Sequence, residues 1–283
     1  MTPGPAPGRT PGRTLTLLLS WTWLTLFAAL PLGVILLIAL ARPADTVPPF
    51  SLGLDPGNFV SAATDPLYRA ALWLSLRTAA ITTALCLLTG YPMALAMARA
   101  PERWRGFLLL ALMLPFWTGF LTRINAWIGL LRDDGWINAV LTALGFAPMR
   151  LLYTDTALYL GMVYTYLPFM VLPVYARLTR LDPAWLEAAA DLGAAPFRAF
   201  LRVTLPLSLP GIAAGVALVF IPAAGDYVIP DLLGGPGARL IGRVLWEEFF
   251  QNRDWPMAAA LAWSLLAVLV LAPAAVRAVA RRG

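Results

Sequence analysis

Long apolar stretches without a charged side chain recur along the chain. They lie between Arg13 and Arg42, Arg77 and Arg99, Asp155 and Arg177, Arg202 and Asp226, and Asp254 and Arg277. A helix needs roughly 20 apolar residues to cross the hydrocarbon core of a bilayer, which is about 30 Å thick. Because all five stretches are that long, the pattern predicts five membrane-spanning helices.

One further apolar stretch, at about 106–131, contains a single charged residue, Arg123. An arginine inside a bilayer is costly, so this side chain should face protein or water rather than lipid. We therefore expect a sixth helix at this position. The predicted spans are 15–41, 70–98, 106–131, 156–176, 207–230 and 255–277.

The first apolar stretch follows Arg9 and Arg13, as the apolar region of a secretory signal would. It is about twice as long as that region, which has roughly 7–15 residues, and this length favours a retained span. Residues 1–14 form a polar tail before it. With 60% hydrophobic and 13% charged residues, and a mean hydropathy of +0.73, the chain is predicted to be an all-α integral membrane protein.

Arginine is unevenly distributed between the two sets of loops. The tails and loops on the same side as the N-terminus carry 12 Arg, and the opposite loops carry seven. The positive-inside rule therefore favours an inner-membrane protein with both termini in the cytoplasm. Because these arginines lie at helix ends, the net charge of +6 is explained by topology, and we expect no nucleic-acid partner.

The composition also limits the chemistry that this chain can perform. It contains no His, its 21 basic residues are all Arg, and it has no Gly-rich phosphate loop. The commonest general base, the commonest metal ligand and the lysine of a phosphate-binding loop are thus missing. Cys86, the single cysteine, cannot form an internal disulfide. We expect no catalysis, no metal site and no bound cofactor. If this protein moves a substrate uphill with ATP, another chain must hydrolyse the nucleotide.

Residues 177–206 form a polar connection that is longer than two adjacent helices normally need. Asp182-Pro183 is a typical helix start, with Asp as the N-cap and Pro at the first helical position. Gly193 is a natural helix stop, and Pro196 opens a second short helix that should end near Val203. The connection is therefore predicted to hold two short helices on the cytoplasmic side.

Within this connection, Glu187-Ala188-Ala189 precedes Gly193 by three residues, and nine more residues lead to Val203-Thr204-Leu205-Pro206. The spacing resembles the EAA loop of permeases in binding-protein-dependent ABC importers, with Val203 in place of Ile. The resemblance implies a coupling loop that docks on a cytoplasmic ATPase. The docking residues expected on this basis are Glu187, Ala188, Ala189, Asp191, Leu192, Gly193, Val203, Leu205 and Pro206.

Other segments between about 70 and 280 resemble the polyamine permeases of this family. They are LPFWT at 114–118, YLPFMVLP at 166–173, FIPA at 220–223, LLGGP at 232–236 and IGRVLW at 241–246. EFFQNRDWP at 248–256 is most similar to the putrescine permeases. The resemblance implies a type I ABC importer permease fold over 70–280. It also implies four kinds of partner: a homologous second permease, two ATP-binding subunits, a periplasmic polyamine-binding protein, and the surrounding membrane lipid.

A polyamine carries several protonated amines, so its route should offer carboxylates and aromatic faces. Asp226 follows an apolar span, where an acidic residue is costly unless it lines water or has a partner. An ion pair between Asp226 and Arg123 is the alternative role. For the aromatic residues, the alternative is anchoring at the membrane interface. The candidate route residues are Asp226, Tyr227, Trp117, Tyr164, Tyr166 and Arg123, with Trp127 as a further aromatic candidate.

Three other functions remain open at this point. An ABC permease for iron, sulfate or a phosphonate shares the docking loop, although an anion route would need Arg where this chain has Asp226. An ion-coupled secondary carrier would transport without an ATPase, and a membrane scaffold would not transport at all. Both of these leave the EAA-like spacing unexplained, so the sequence favours import of putrescine or spermidine.

Overall fold

The computed structural model describes the backbone of residues 11–280 and the side chains of residues 16–271. It is mostly helical, with one short antiparallel hairpin formed by β1 (Arg42–Pro43) and β2 (Phe50–Ser51). The helices are α1 (Pro11–Leu24), α2 (Leu30–Ala39), α3 (Gly57–Thr64), α4 (Pro66–Arg99), α5 (Glu102–Met113), α6 (Phe120–Leu131), α7 (Trp136–Ala143), α8 (Asp155–Leu178), α9 (Ala184–Asp191), α10 (Pro196–Ala199), α11 (Leu205–Gly225), α12 (Val228–Leu233), α13 (Ile241–Trp246) and α14 (Trp255–Ala280).

Several of these helices are long and apolar enough to cross a membrane. They are Thr16–Ala39, Pro66–Arg99, Asp155–Leu178 and Pro196–Gly225. The first joins α1 to α2 through a π turn at Thr25–Ala29, and the last joins α10 to α11 through a π turn at Phe200–Thr204. Helix α14 has 26 residues and an apolar described part, Trp255–Leu271. Each coincides with one of the apolar stretches in the sequence.

The stretch at 106–131, expected as one continuous helix, is broken in the structure. Helix α5 ends in a 3₁₀ turn at Leu114–Trp117, and α6 starts again at Phe120 after an axis change of 90°. Pro115 lacks a backbone N–H, and Thr118 and Gly119 both have extended backbones. The Thr118 hydroxyl donates to the Pro115 carbonyl at 2.8 Å, which satisfies a polar group at the break. Proline and this capping hydroxyl therefore divide the apolar stretch into two helices.

The described residues fall into two compact units, one of 11–65 with 245–280 and the other of 66–244. In the first, Ala39 of α2 packs on Ala259 and Ala260 of α14, with Phe59 of α3 against them. The Asn58 side-chain amide donates to the carbonyls of Ala39 and Ala41, both at 2.9 Å. Small side chains thus allow α2 and α14 to approach closely, and Asn58 satisfies the carbonyls at the end of α2.

The second unit, which holds the candidate site, is built on α4, α8 and α11 packed against one another. Glycines of α11 face α8 at very short range. A Cβ atom at Gly211 would lie 2.8 Å from the Pro173 carbonyl oxygen, and one at Gly215 would lie 2.7 Å from Met170 Sδ. Small residues four apart allow such close backbone packing between membrane helices. Helices α8 and α11 are therefore closely packed, and they hold the connection 177–206 at one end and Asp226 at the other.

Candidate functional site

The polar connection of residues 177–206 begins with α9, whose start follows the sequence prediction. The Asp182 carboxylate accepts a hydrogen bond from the Ala184 N–H at 3.0 Å, and Pro183 occupies the first turn. A side-chain acceptor at this position satisfies an N–H that has no partner inside the helix. The N-cap role expected for Asp182 is present in the structure.

Helix α9 stops at Gly193 by a Schellman motif. Gly193 has a φ of +76°, its N–H donates to the Ala190 carbonyl at 2.8 Å, and the Ala194 N–H donates to the Ala189 carbonyl at 2.9 Å. These are the two bonds that define the motif, and a left-handed φ at the turn residue favours glycine. The Gly193 stop therefore turns the chain sharply between α9 and α10.

The second short helix expected to end near Val203 does not end there. Residues of α10, the π turn Phe200–Thr204 and α11 form one continuous helical run, in which the Leu205 N–H donates to the Phe200 carbonyl. Pro206 follows the π turn. A proline ring clashes with the carbonyl four residues earlier, and a wider turn relieves that clash. The polar connection of residues 177–206, which is the expected docking segment, therefore continues directly into the membrane-spanning helix α11.

The expected docking residues form an accessible surface on this connection. Glu187, Ala188, Asp191, Leu192, Gly193 and Pro206 are exposed, whereas Ala189, Val203 and Leu205 are half-buried. Leu192 is 88% exposed, and the large apolar side chains of Trp185 (61%) and Phe197 (69%) lie exposed in the same connection. Trp185 and Phe197 were not among the expected docking residues, although large apolar residues in a polar connection are a signal for an interaction surface.

Asp226 lies at the other end of α11, where the helix stops at Gly225 and α12 starts at Val228. One carboxylate oxygen accepts from the N–H groups of Val228 (3.0 Å) and Ile229 (3.4 Å), so Asp226 caps α12. The other oxygen accepts from the Tyr166 hydroxyl of α8 at 3.0 Å. The structure thus brings two of the expected route residues, Asp226 and Tyr166, into direct contact.

Within the described part of the chain, Arg123 and Asp226 form no ion pair in this conformation. The Arg123 guanidinium instead lies over the rings of Phe116 and Phe120, with its carbon 5.0 Å and 5.8 Å from the ring centroids. Its Nε and Nη1 atoms are buried and donate to no acceptor in this structure. Cation–π contact is therefore the visible stabilisation of this charge.

Two phenylalanines connect Arg123 to the Asp226–Tyr166 pair, and the sequence did not identify either as a route residue. Phe116 meets Phe169 edge-on at 5.5 Å between centroids, and Phe169 lies 6.4 Å from the ring of Tyr166. The break after α5 places Phe116 beside α8. An aromatic surface thus runs from the broken span to the Asp226 carboxylate, and only the fold brings its members together.

The remaining aromatic candidates are less closely connected. Tyr164 meets Trp127 edge-on at 5.3 Å, and both line a cleft of about 370 Å³ together with Arg123. Trp117 is 80% exposed and Tyr227 is 40% exposed, and neither makes a ring contact among the described residues. Four of the six expected residues are thus arranged around α6 and α8, whereas Trp117 and Tyr227 are peripheral in this conformation.

The model of the family described as "Binding-protein-dependent transport system inner membrane component" matches residues 11–282. A spermidine/putrescine transport system permease protein PotB from Haemophilus influenzae is 39% identical over 260 residues, 91% of this chain and 90% of that protein. The protein of the same name from Escherichia coli K12 is 41% identical over 252 residues, 88% of this chain and 90% of that protein. The expected resemblance to polyamine ABC permeases is confirmed, while the finer likeness to the putrescine permeases stays a prediction.

A molybdenum transport system permease protein, ModB from Mycobacterium bovis, is 32% identical over 256 residues, 89% of this chain and 90% of that protein. Among solved structures, a bacterial ABC transporter that imports the acidic polysaccharide alginate has the same fold. Its matching chain gives a TM-score of 0.66 at 19% identity, covering 93% of this chain and 94% of that one. From its apolar helices and these matches, the protein is a multi-pass inner-membrane protein with an ABC importer permease fold, and it belongs to the family of binding-protein-dependent transport system inner membrane components.

Proposed function

We propose that this chain is the permease subunit of an importer that moves putrescine or spermidine into the cytoplasm. The observation that carries the proposal is the similarity, 39–42% over about 90% of the chain, to permeases whose names specify spermidine and putrescine. The ModB relative, at 32% identity, provides the competing assignment of an oxyanion substrate. Both termini lie in the cytoplasm in this proposal, as the distribution of arginine favours.

ATP hydrolysis takes place on a separate subunit in this proposal. The surface around Glu187 and Gly193 docks on that subunit, which holds ATP and Mg²⁺. Its exposed Trp185, Leu192 and Phe197 give it apolar contact area, and Glu187 offers a carboxylate to a cationic partner side chain. The complete importer holds this chain, a second permease, two ATPase subunits and a periplasmic polyamine-binding protein.

The substrate route runs along the aromatic surface that ends at Asp226. A protonated diamine loses hydration on entering a narrow route, and fixed negative charge and ring faces compensate for part of that loss. The Asp226 carboxylate, the Tyr166 hydroxyl and the faces of Phe169 and Phe116 supply these groups within one connected set of contacts. Arg123 occupies the ring faces at the far end of that surface.

Transport by the complete complex in proteoliposomes tests the proposal. The four kinds of subunit are purified, and uptake of labelled putrescine, spermidine and molybdate is measured with and without ATP inside the vesicles. We expect ATP-dependent accumulation of a polyamine and none of molybdate. Accumulation of molybdate alone would assign the chain to an anion importer, and polyamine uptake that is independent of the ATPase would assign it to the secondary carriers.

A further inference from the structure

A buried hydroxyl pair connects α4 to the start of α11. Tyr91 Oη lies 3.0 Å from Ser208 Oγ, and Ser208 Oγ donates to the Leu205 carbonyl at 2.8 Å. A serine hydroxyl can donate only one hydrogen bond, and that of Ser208 goes to the Leu205 carbonyl. In its contact with Tyr91, Ser208 is therefore the acceptor and the Tyr91 hydroxyl is the donor. Tyr91 is 8% exposed and Ser208 is fully buried. This contact joins residues that are 117 positions apart in the chain.

The ring of Tyr91 also contacts the π turn that connects the docking segment to α11. It meets Phe200, the first residue of that turn, edge-on at 5.8 Å between centroids. The neighbouring Gly90 allows α4 to pack closely on α8, because a Cβ atom there would lie 3.2 Å from side-chain atoms of Met170 and Val171. One tyrosine therefore contacts residues on both sides of the π turn: Phe200 at its start through its ring, and Ser208 in the first turn of α11 through its hydroxyl.

A second contact, made by α8, involves the same part of α11. Arg177, near the end of α8, donates through Nε to the Leu207 carbonyl at 2.9 Å. Helix α8 leads directly into the docking connection, so both helices flanking that connection are fixed near the π turn. By contrast, the Thr204 hydroxyl inside the turn is buried and has no hydrogen-bond partner among the described residues. The lateral contacts are thus made by Tyr91 and Arg177, and not by the polar residue of the turn itself.

We propose that Tyr91 and Ser208 are positioning residues that transmit movement of the docking segment to α4 and α11; this rests on the docking function proposed above. A π turn interrupts the regular i→i+4 hydrogen bonds of a helix, and it is therefore a point at which the helix can bend. Without a contact to a neighbouring helix, the π turn would change shape when α10 is displaced, and α11 would not move. Because Tyr91 contacts Phe200 at the start of the turn and Ser208 in α11, the displacement moves α4 and α11 together.

The test uses variants that remove single hydroxyl groups; Ser208→Ala also removes the Ser208 hydrogen bond to the Leu205 carbonyl. Tyr91→Phe keeps the ring on Phe200 and removes the hydroxyl, Ser208→Ala removes its acceptor, and the double variant removes both. Thr204→Val is the matched control, because it deletes a buried hydroxyl of the same turn that has no hydrogen bond to lose. Each is assembled with the partner subunits, and three quantities are measured: co-purification of the ATPase, ATP hydrolysis, and substrate molecules taken up per ATP.

Tyr91→Phe and Ser208→Ala should each lower uptake per ATP by about three- to tenfold, the factor that one net hydrogen bond represents. ATPase co-purification should be unchanged. The double variant should be no worse than Ser208→Ala, because both lose the Tyr91–Ser208 contact and the Ser208 hydrogen bond to Leu205. Thr204→Val should behave as the unmodified protein. An unchanged uptake-to-ATP ratio in both single variants would overturn the proposal.

Two further outcomes also contradict the proposal. Tyr91→Phe and Ser208→Ala could keep a normal uptake-to-ATP ratio and yet lose ATPase binding or thermal stability. That result would assign Tyr91 and Ser208 a structural role only. If Gly193→Val, which disrupts the docking turn itself, still couples fully, the docking function fails and the transmission proposal fails with it. A defect in Gly193→Val together with normal Tyr91→Phe would overturn the transmission proposal alone, so the two failures are distinguishable.

Discussion

Asp226 is a single residue that joins two helices by hydrogen bonds, because its carboxylate caps α12 and accepts from Tyr166 of α8. Its charge and its capping role can be separated by mutation. An asparagine Oδ1 can still accept from the Val228 N–H, so Asp226→Asn keeps the cap and removes the negative charge. If that charge compensates for substrate desolvation, uptake of a diamine should fall about tenfold or more, while assembly with the ATPase is retained.

The control for this prediction is Tyr166→Phe, which removes the hydrogen bond and keeps the charge, and which should cost less uptake than Asp226→Asn. The double variant Asp226→Asn with Arg123→Gln separates route from ion pair. Because no such pair exists in the structure, uptake should stay low in the double variant. Recovery to normal uptake there would show that Asp226 serves only to neutralise Arg123.

The sequence identified Asp226 and Arg123 as costly charges but could not say whether they meet. Both lie in apolar stretches, and composition alone allows either pairing or separation. The outcome depends on the break after Trp117, which directs α6 so that Arg123 contacts the rings of Phe116 and Phe120. Phe116 and Phe169 were missed for the same reason, since their contact depends on how two segments pack and not on spacing within either one.

Among the helices, the boundaries that could be predicted best from the sequence were those fixed by one or two neighbouring residues. Asp182 and Gly193 begin and end α9 as expected, because an N-cap carboxylate and a left-handed glycine act over a few residues. The continuous run from α10 into α11 was not expected. Pro206 indicates a helix start when taken alone, whereas the chain accommodates it with a π turn inside a longer helix.

The turn at Gly193 gives a prediction at this scale. A Cβ atom there would meet nothing within 4 Å, so any effect of substitution comes from the backbone conformation. Val is strongly disfavoured at a positive φ, by about 1–2 kcal/mol, whereas Asn adopts this conformation readily. Gly193→Val should therefore reorient α10 and lower both ATPase co-purification and uptake, and Gly193→Asn should retain most of both. Equal activity of the two variants would argue against a docking role for the turn.

At the scale of the whole molecule, the long apolar helices fix membrane insertion, and the arginines decide its direction. Arg-rich segments such as 99–105 and 198–202 are expected on the cytoplasmic side, and residues 234–237 are then expected on the periplasmic side. The single cysteine makes this orientation measurable. Cys86 is fully buried and should not react with a maleimide that cannot cross membranes. Any labelling therefore comes from a cysteine introduced by mutation.

Glu102→Cys and Gly237→Cys are suitable reporters, because both positions are exposed and a side chain at Gly237 would meet nothing within 4 Å. Replacing Glu102 leaves the distribution of arginine intact, and acidic residues contribute little to orientation. In cells with a permeabilised outer membrane and an intact inner membrane, Gly237→Cys should be labelled from outside. Glu102→Cys should be labelled only after the inner membrane is opened. The reverse pattern would invert the topology and place the docking surface on the periplasmic side, where no cytoplasmic ATPase could reach it.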